Sequence, residues 1–127
     1  MAKLSHNNRV GRVGEDIAAN YITNELGMQI IERNWRKQSK EIDIIAIKDN
    51  CLRIVEIKSR MESNKESVTA SLNDNKLRSL VKGAALYLST FRLTDVDEIF
   101  FDLIVVTFDE QGDSSIEYMP KFFYPQW

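Results

Sequence analysis

The stretch Glu41–Arg60, EIDIIAIKDNCLRIVEIKSR, decides the fold of this chain. Two runs rich in Ile and Val flank the pair Asp49-Asn50, and apolar runs on either side of such a turn-forming pair predict two antiparallel strands joined as a β-hairpin. A two-residue loop at this pair, or a four-residue loop over Lys48–Cys51, makes paired positions sum to 99. A three-residue loop would instead place Ile57 opposite Asp43 and turn the side chains to other faces.

The register in which paired positions sum to 99 brings two acidic side chains together. Asp43 faces Glu56, Glu41 faces Lys58, and Asp43, Glu56 and Lys58 share one face because side chains alternate along a strand. Like charges at about 4.5–5.5 Å destabilise a sheet unless they are neutralised, and a hard divalent cation with carboxylate ligands would neutralise them. With Lys58 in reach of a bound phosphate or water, the spacing predicts a site for phosphodiester hydrolysis. The alternative is a solvated strand face with a Glu41–Lys58 ion pair.

The amino-acid composition excludes several kinds of site. The 127 residues, 43% of them hydrophobic, fit a single domain spanning residues 1–127. One cysteine, Cys51, and one histidine, His6, exclude an internal disulfide, a cysteine-based or histidine-rich zinc site and a nucleophilic triad. The start lacks the apolar segment of a signal peptide and no run approaches ~18 apolar residues, so we expect a cytoplasmic protein without a membrane partner.

The net charge of −2 argues against an indiscriminate polyanion binder. Its distribution is uneven: residues 1–60 carry 11 basic and 8 acidic side chains, whereas residues 61–127 carry 6 basic and 11 acidic ones. The basic half contains the candidate site, which favours an anionic ligand there.

The first helix is predicted over Asn8–Leu26, with Asn7 or Asn8 as N-cap and Gly27 as its stop. Glu15 lies at the edge of the apolar face of this helix, where a carboxylate needs a partner. It serves either as a site residue or as a structural acid that caps the first turn or pairs with Arg12.

The first strand is predicted over Met28–Trp35, and a basic segment follows it. Arginine and lysine beside a phosphate-handling site would hold a nucleic-acid backbone. Trp35 either stacks on a base or belongs to the core.

The second half of the chain predicts a loop or lid over residues 61–72 and a helix capped by Asn73 or Asp74. In the first turn of that helix, Lys76 contacts a phosphate or is solvated. The apolar run Glu98–Phe108 predicts a central strand parallel to the Glu56 strand, and a last strand is expected over residues 115–119. The aromatic tail, residues 122–127, packs on the domain or serves a dimer interface. The prediction is an α/β fold with a mixed central sheet flanked by helices, in the order α-β-β-β-α-β-β.

This order, with an acid on the first helix, Asp on one hairpin strand and Glu-x-Lys on its partner, resembles the core of PD-(D/E)XK nucleases, the restriction-endonuclease-like fold. Over nearly its full length the chain is similar to the YraN-like family of uncharacterised bacterial proteins, which resemble Holliday junction resolvases and the tRNA endonuclease-like fold. The resemblance rests on several segments: residues 11–18, 32–36, 41–46 and 55–60, together with Lys76, Ala84-Ala85, Tyr87-Leu88 and Phe101-Asp102. The chain departs from the family pattern at Lys40, Phe100 and Tyr118.

The resemblance implies a metal-dependent endonuclease that uses Mg²⁺ or Mn²⁺ on nucleic acid, with DNA favoured over RNA and branched or structured DNA as a substrate class. It implies Glu15, Asp43 and Glu56 as metal-site acids, the Ile57 carbonyl as a further ligand and Lys58 as the catalytic lysine. Resolvase-like relatives act on symmetric junctions, which implies a homodimer. The alternative is a non-catalytic nucleic-acid-binding protein that retains the nuclease fold. Candidate residues for contacting nucleic acid are Arg12, Arg33, Arg36, Lys40, Arg60 and Lys76.

Overall fold

The hairpin has the predicted register in the computed structural model, which describes residues 2–64, 71–91 and 96–125. Strand β2 (Lys40–Lys48) pairs with β3 (Cys51–Met61) from Ile44↔Val55 to Lys48↔Cys51. The turn residues Asp49 and Asn50 have φ angles of 52° and 62°. A two-residue turn of this kind needs positive φ at both positions, which Asn and Asp tolerate better than most residues.

Five strands form one mixed sheet in the order β1-β2-β3-β4-β5. Strand β1 (Gln29–Lys37) is antiparallel to β2, β4 (Glu98–Phe108) is parallel to β3, and β5 (Ser114–Phe123) is antiparallel to β4. Helix α1 (Ala2–Asn24) precedes the sheet and helix α2 (Asp74–Phe91) lies between β3 and β4 in the chain. The described residues therefore have the predicted element order, and the prediction of a mixed α/β sheet with flanking helices is confirmed.

The two faces of the sheet carry separate cores. The α1 face buries Ala18 and Ile22 of the helix against Ile44, Val55 and Ile104 of the strands. The opposite face is covered by α2 and gives the second core, formed by Leu80, Ala84 and Tyr87 with Ile42, Ile45, Ile54 and Phe101. No helix within residues 2–64, 71–91 and 96–125 is long and apolar enough to cross a membrane.

Trp35 packs against the second core. Its ring lies edge-on to the Tyr87 ring, with the ring centroids 5.3 Å apart. Of the two interpretations of this side chain, the contact favours the core residue over the base-stacking platform.

Several element boundaries differ from the predicted ones. Helix α1 begins at Ala2 and includes Asn7 and Asn8, so neither caps it, because nothing in the preceding residues forces a helix to stop. Strand β5 continues to Phe123, since the first aromatic residues of the tail pack against the second core. Of the predicted loop over residues 61–72, residues 65–70 lie outside the described part of the chain.

Two helix ends agree with the predicted signals. Helix α1 is followed by Gly27, whose φ of 65° is a conformation that glycine adopts without strain. Helix α2 is capped by Asn73, whose Oδ1 accepts a hydrogen bond from the Lys76 N–H at 3.0 Å.

Candidate functional site

Asp43 and Glu56 meet where the two hairpin strands part. They are the next positions on each strand beyond Ile44↔Val55, where the paired register of β2 and β3 ends. There the Ile57 N–H donates a hydrogen bond to Asp43 Oδ2 at 2.8 Å. Ile45 and Ile54, each two residues from one of the acids, both point into the core beneath α2. Alternation from Ile54 places Glu56 on the α2 face. The alternation of β2 is interrupted at Asp43, because Ile42 and Ile45 both belong to the core beneath α2, and the hydrogen bond from Ile57 fixes where the Asp43 carboxylate lies.

Glu56 is a buried carboxylate held between two ammonium groups. Its side chain is 5% exposed, and its Oε1 lies 3.7 Å from Lys58 Nζ and 3.7 Å from Lys76 Nζ. Lys58 follows on the same strand, whereas Lys76 comes from the first turn of α2. A carboxylate removed from water is costly unless it is paired, and these two lysines supply the compensating charge.

The surroundings of Asp43 raise the pKa of its carboxyl group. Burial, the nearby Glu56 carboxylate and, to a smaller degree, Glu15 raise the pKa of Asp43 from 3.8 to about 7, against the opposing effects of the Ile57 N–H and Lys76. Desolvation and a like charge both disfavour the ionised form. Near neutral pH this carboxyl group is therefore poised between its two protonation states, and a bound cation would favour the ionised one.

Glu15 reaches the site from α1 and is fixed by β1. Asn34 lies opposite Asp43 in the β1–β2 register. When its side-chain amide is assigned so that the nitrogen rather than the oxygen faces Glu15, that nitrogen lies 3.3 Å from both carboxylate oxygens. The next pair along, Arg33 Nη2 and Asp16 Oδ1, forms an ion pair at 2.8 Å. Two adjacent contacts thus join the helix to the strand and hold Glu15 near enough for its charge to raise the pKa of Asp43.

Asn34 was not predicted as a site residue. Its φ of 51° interrupts the extended conformation of β1, and asparagine is among the few residues that tolerate this conformation. An asparagine inside a strand was the available signal, but its contact with Glu15 depends on how α1 docks.

The donor set fits a hydrated hard cation. Among the described residues no group of three or more His, Cys, Asp or Glu side chains is close enough to hold a metal ion. Magnesium commonly takes one or two carboxylates and completes its shell with water and phosphate oxygens. Asp43 and Glu56 supply that number of carboxylates, and direct contacts from the Ile57 carbonyl and from Glu15 stay predictions.

The structure brings one of the predicted nucleic-acid contacts, Lys76, to the acids. Two others have acidic partners: Arg33 pairs with Asp16, and Arg36 pairs with Glu41 at 2.7 Å. Because of that second pair, the predicted alternative of a Glu41–Lys58 ion pair is not what holds Lys58. Arg60 Nε donates to Thr107 Oγ1 at 3.1 Å. The remaining two, the exposed Arg12 and the half-buried Lys40, have no ion-pair partner among the described residues.

A second polar cluster surrounds Asp102, a fully buried acid on β4. Its carboxylate accepts hydrogen bonds from Tyr118 Oη at 2.8 Å, the Lys121 N–H at 3.0 Å and Arg53 Nη1 at 3.2 Å. Burial, followed by the hydrogen bond to Asp102, raises the pKa of the Tyr118 hydroxyl. The Arg53 guanidinium also lies 4.5 Å from the Phe100 ring centre. Tyr118, one position where the chain departs from the family pattern, thus donates to a buried carboxylate that ties β3, β4 and β5 together. Phe100, another such position, contacts the arginine that pairs with this carboxylate.

Comparison with known proteins gives one consistent family. A family model described as uncharacterised protein family UPF0102 matches residues 14–106. A UPF0102 protein of Bacteroides thetaiotaomicron is 35% identical over 122 residues, covering 96% of this chain and 98% of that protein. One of Flavobacterium psychrophilum is 36% identical over 122 residues, with 95% and 98% covered. One of Clostridium perfringens is 39% identical over 107 residues, with 81% and 83% covered.

Proposed function

The chain belongs to the uncharacterised protein family UPF0102, and we propose that it is a divalent-metal-dependent endonuclease that hydrolyses phosphodiester bonds of nucleic acid. The observation that carries this proposal is the pairing of Asp43, whose pKa is raised to about 7, with Glu56 between two lysines. Perturbed carboxyl groups next to positioned cations are characteristic of catalytic sites. The resemblance to PD-(D/E)XK nucleases in the same residues supports the same activity.

A cation would be held by Asp43, Glu56 and the Ile57 carbonyl, with Glu15 behind them. When bound, Mg²⁺ or Mn²⁺ supplies a water of lowered pKa and charge stabilisation at phosphoryl oxygens. The chain itself fixes the donors: the Ile57 N–H holds Asp43 Oδ2, and the Asn34 amide faces Glu15.

Lys58 and Lys76 neutralise the negative charge that the acids present to a phosphate group. Both ammonium groups lie 3.7 Å from the same Glu56 oxygen and are about one third exposed, so they face both the acid and the solvent. A cation aimed at the charge that develops on a phosphoryl group stabilises the transition state. We assign that task to Lys58, which shares a strand with Glu56, and we assign to Lys76 the capture of the scissile phosphate.

The resemblance to Holliday junction resolvases is the basis for proposing the kind of nucleic acid that is cleaved. We propose DNA in preference to RNA, with branched or structured DNA as the substrate class and a homodimer as the form that acts on symmetric junctions.

The test is a cleavage assay with Mg²⁺ or Mn²⁺ on duplex, flapped and four-way DNA. Asp43→Asn and Lys58→Met should each lower the cleavage rate by 100-fold or more, since one removes a metal-binding charge and the other a transition-state cation, about 10²–10³-fold for one stabilising group. Glu41→Gln and Lys37→Met are matched controls, because Glu41 is an exposed acid on the same strand and Lys37 an exposed lysine of the neighbouring strand. Cleavage that persists unchanged in both site variants would falsify the assignment.

A second function, nucleic-acid binding without catalysis, is favoured by one observation. The two lysines already compensate Glu56, so that carboxylate needs no metal ion to be stable in the fold. Calorimetric titration with Mn²⁺ separates the two proposals. Heat of binding that disappears in Asp43→Asn supports the nuclease, and the absence of any heat from the unmodified protein supports the binding module.

A further inference from the structure

A groove separate from the acid pair runs between α2 and the segment that follows β5. Its volume is about 560 Å³, within the 300–1,000 Å³ range of pockets that hold drug-sized ligands. The floor is apolar and consists of Leu77 and Val81 of α2 with Phe123 of the tail. Phe123 packs on Phe101 with the ring centres 4.8 Å apart, so the floor rests on the core.

Two cations and an exposed aromatic ring border this floor. Arg78 and Lys82 are four residues apart on α2, which places them side by side on one helix face. Neither has an acidic partner among the described residues, and Arg78 contacts only the amide of Asn75, at 2.5 Å. Tyr124, on the other wall, is 78% exposed.

The charge balance of the groove favours an anionic occupant. Among the described residues that line it, the one acid is Asp74, in the first turn of α2, where the helix dipole stabilises a negative charge. The acids that make the C-terminal half of the chain negative include Glu62, Asp109 and Asp113, which line other pockets. Two unpaired cations therefore dominate the groove.

The groove is connected to the acid pair through the first turn of α2. Lys76 of that turn faces Glu56, while Leu77 and Arg78 face the groove. The two sites are therefore served by neighbouring residues of one helix turn.

We propose that this groove binds an unpaired strand of nucleic acid, whose bases stack on Tyr124 and the apolar floor while its phosphates contact Arg78 and Lys82. Aromatic rings that stack bases beside cations that follow the backbone are the usual means of binding single strands. The inference rests on the proposed function, since it names the substrate class as nucleic acid with a single-stranded segment next to the cleaved bond.

The experiment measures binding without cleavage. Fluorescence anisotropy is recorded with a labelled oligodeoxythymidine and with a duplex of equal length, in chelator, for the Asp43→Asn protein. Tyr124→Ala should weaken single-strand binding by about 5- to 150-fold, the measured range for one stacked base, and Tyr124→Phe should retain it. Phe91→Ala is the matched control, because Phe91 is a 49% exposed aromatic at the other end of α2.

The phosphate contacts are tested by salt dependence. Replacing Arg78 and Lys82 together by Gln should reduce the slope of log K against log salt by about 1.4, which corresponds to two lost phosphate contacts on a single strand. Lys48→Gln, at an exposed lysine of β2, should leave the slope unchanged.

The proposal is overturned if the unmodified groove does not bind single strands, if Tyr124→Ala binds them normally, or if the slope stays constant. It is also overturned if Tyr124→Ala abolishes self-association in sedimentation while DNA binding is retained, which would make the groove a protein interface. None of these results concerns metal or cleavage, so the nuclease proposal would stand or fall separately.

Discussion

Replacement of Asp43 by asparagine should stabilise the protein at alkaline pH. The pKa of Asp43 is about 7 in the native state against 3.8 for an unperturbed carboxyl, so the folded protein binds a proton more tightly than the unfolded chain. The corresponding stabilisation is complete below pH 3.8 and is lost as the pH rises through about 7. A difference of about 3 pKa units corresponds to about 4 kcal/mol at 1.36 kcal/mol per unit, and screening by nearby solvent reduces this to about 2 kcal/mol.

The amide side chain of the Asp43→Asn variant would keep an oxygen that accepts the Ile57 N–H but would carry no charge to repel Glu56. At pH 8 we therefore expect the variant to melt roughly 6–10 °C above the unmodified protein, at about 3–5 °C per kcal/mol for a chain of this size. At pH 4 the two should melt together. The measurement is a series of thermal melts across this pH range in chelator, with Glu41→Gln as the control, since Glu41 is exposed on the same strand.

Metal ions provide the second half of this test. Magnesium at 100 times its dissociation constant should stabilise the unmodified protein at pH 8 by about 2.7 kcal/mol and leave Asp43→Asn unchanged. If the two proteins show the same dependence of melting temperature on pH, ionisation of Asp43 does not destabilise the folded protein, and the reasoning is refuted.

Three further outcomes are expected. Asn34→Gly should keep the stability of the fold, because glycine adopts the positive φ of Asn34, but should weaken Mn²⁺ binding about 10- to 100-fold by freeing Glu15; unchanged calorimetric affinity would contradict this. Gly14→Ala should destabilise by about 1–3 kcal/mol in denaturant titration, because the new methyl group overlaps the Ser59 side chain, and Ser59→Gly should restore most of the loss. Asp102→Ala should cost about 3–5 kcal/mol, since it leaves a partly buried arginine without its carboxylate; a loss below about 1 kcal/mol would show that the cluster is dispensable.

The acid pair could be predicted because it depends on local rules. Turn residues with a tolerance for positive φ at Asp49 and Asn50, together with the two-residue period of strands, fix which positions face each other. The long apolar strand β4 was predicted with its observed ends, Glu98 and Phe108, because a strand buried on both faces has a nearly continuous apolar sequence.

Contacts between elements that are distant in the chain could not be predicted in the same way. The second ammonium at Glu56 comes from α2, and the direction of Lys76 depends on how that helix docks on the sheet. The partners of Asp102 come from β3 and β5. An aspartate inside an apolar run indicates a buried polar group that needs partners, but the sequence does not say which strands provide them.

The parallel pairing of β3 with β4 also bears on the order in which the protein assembles. That ladder joins residues 47 positions apart, from Cys51↔Glu98 onward, whereas the hairpin closes through two residues. Closing a long loop costs more chain entropy and slows folding, so we expect the hairpin to form early and to bring its two carboxylates together while water still surrounds them. Lys76 lies in the segment that connects β3 to β4, so we expect it to reach Glu56 only when β3 and β4 pair. Glu56 would then lose its water and gain the second ammonium group in one step.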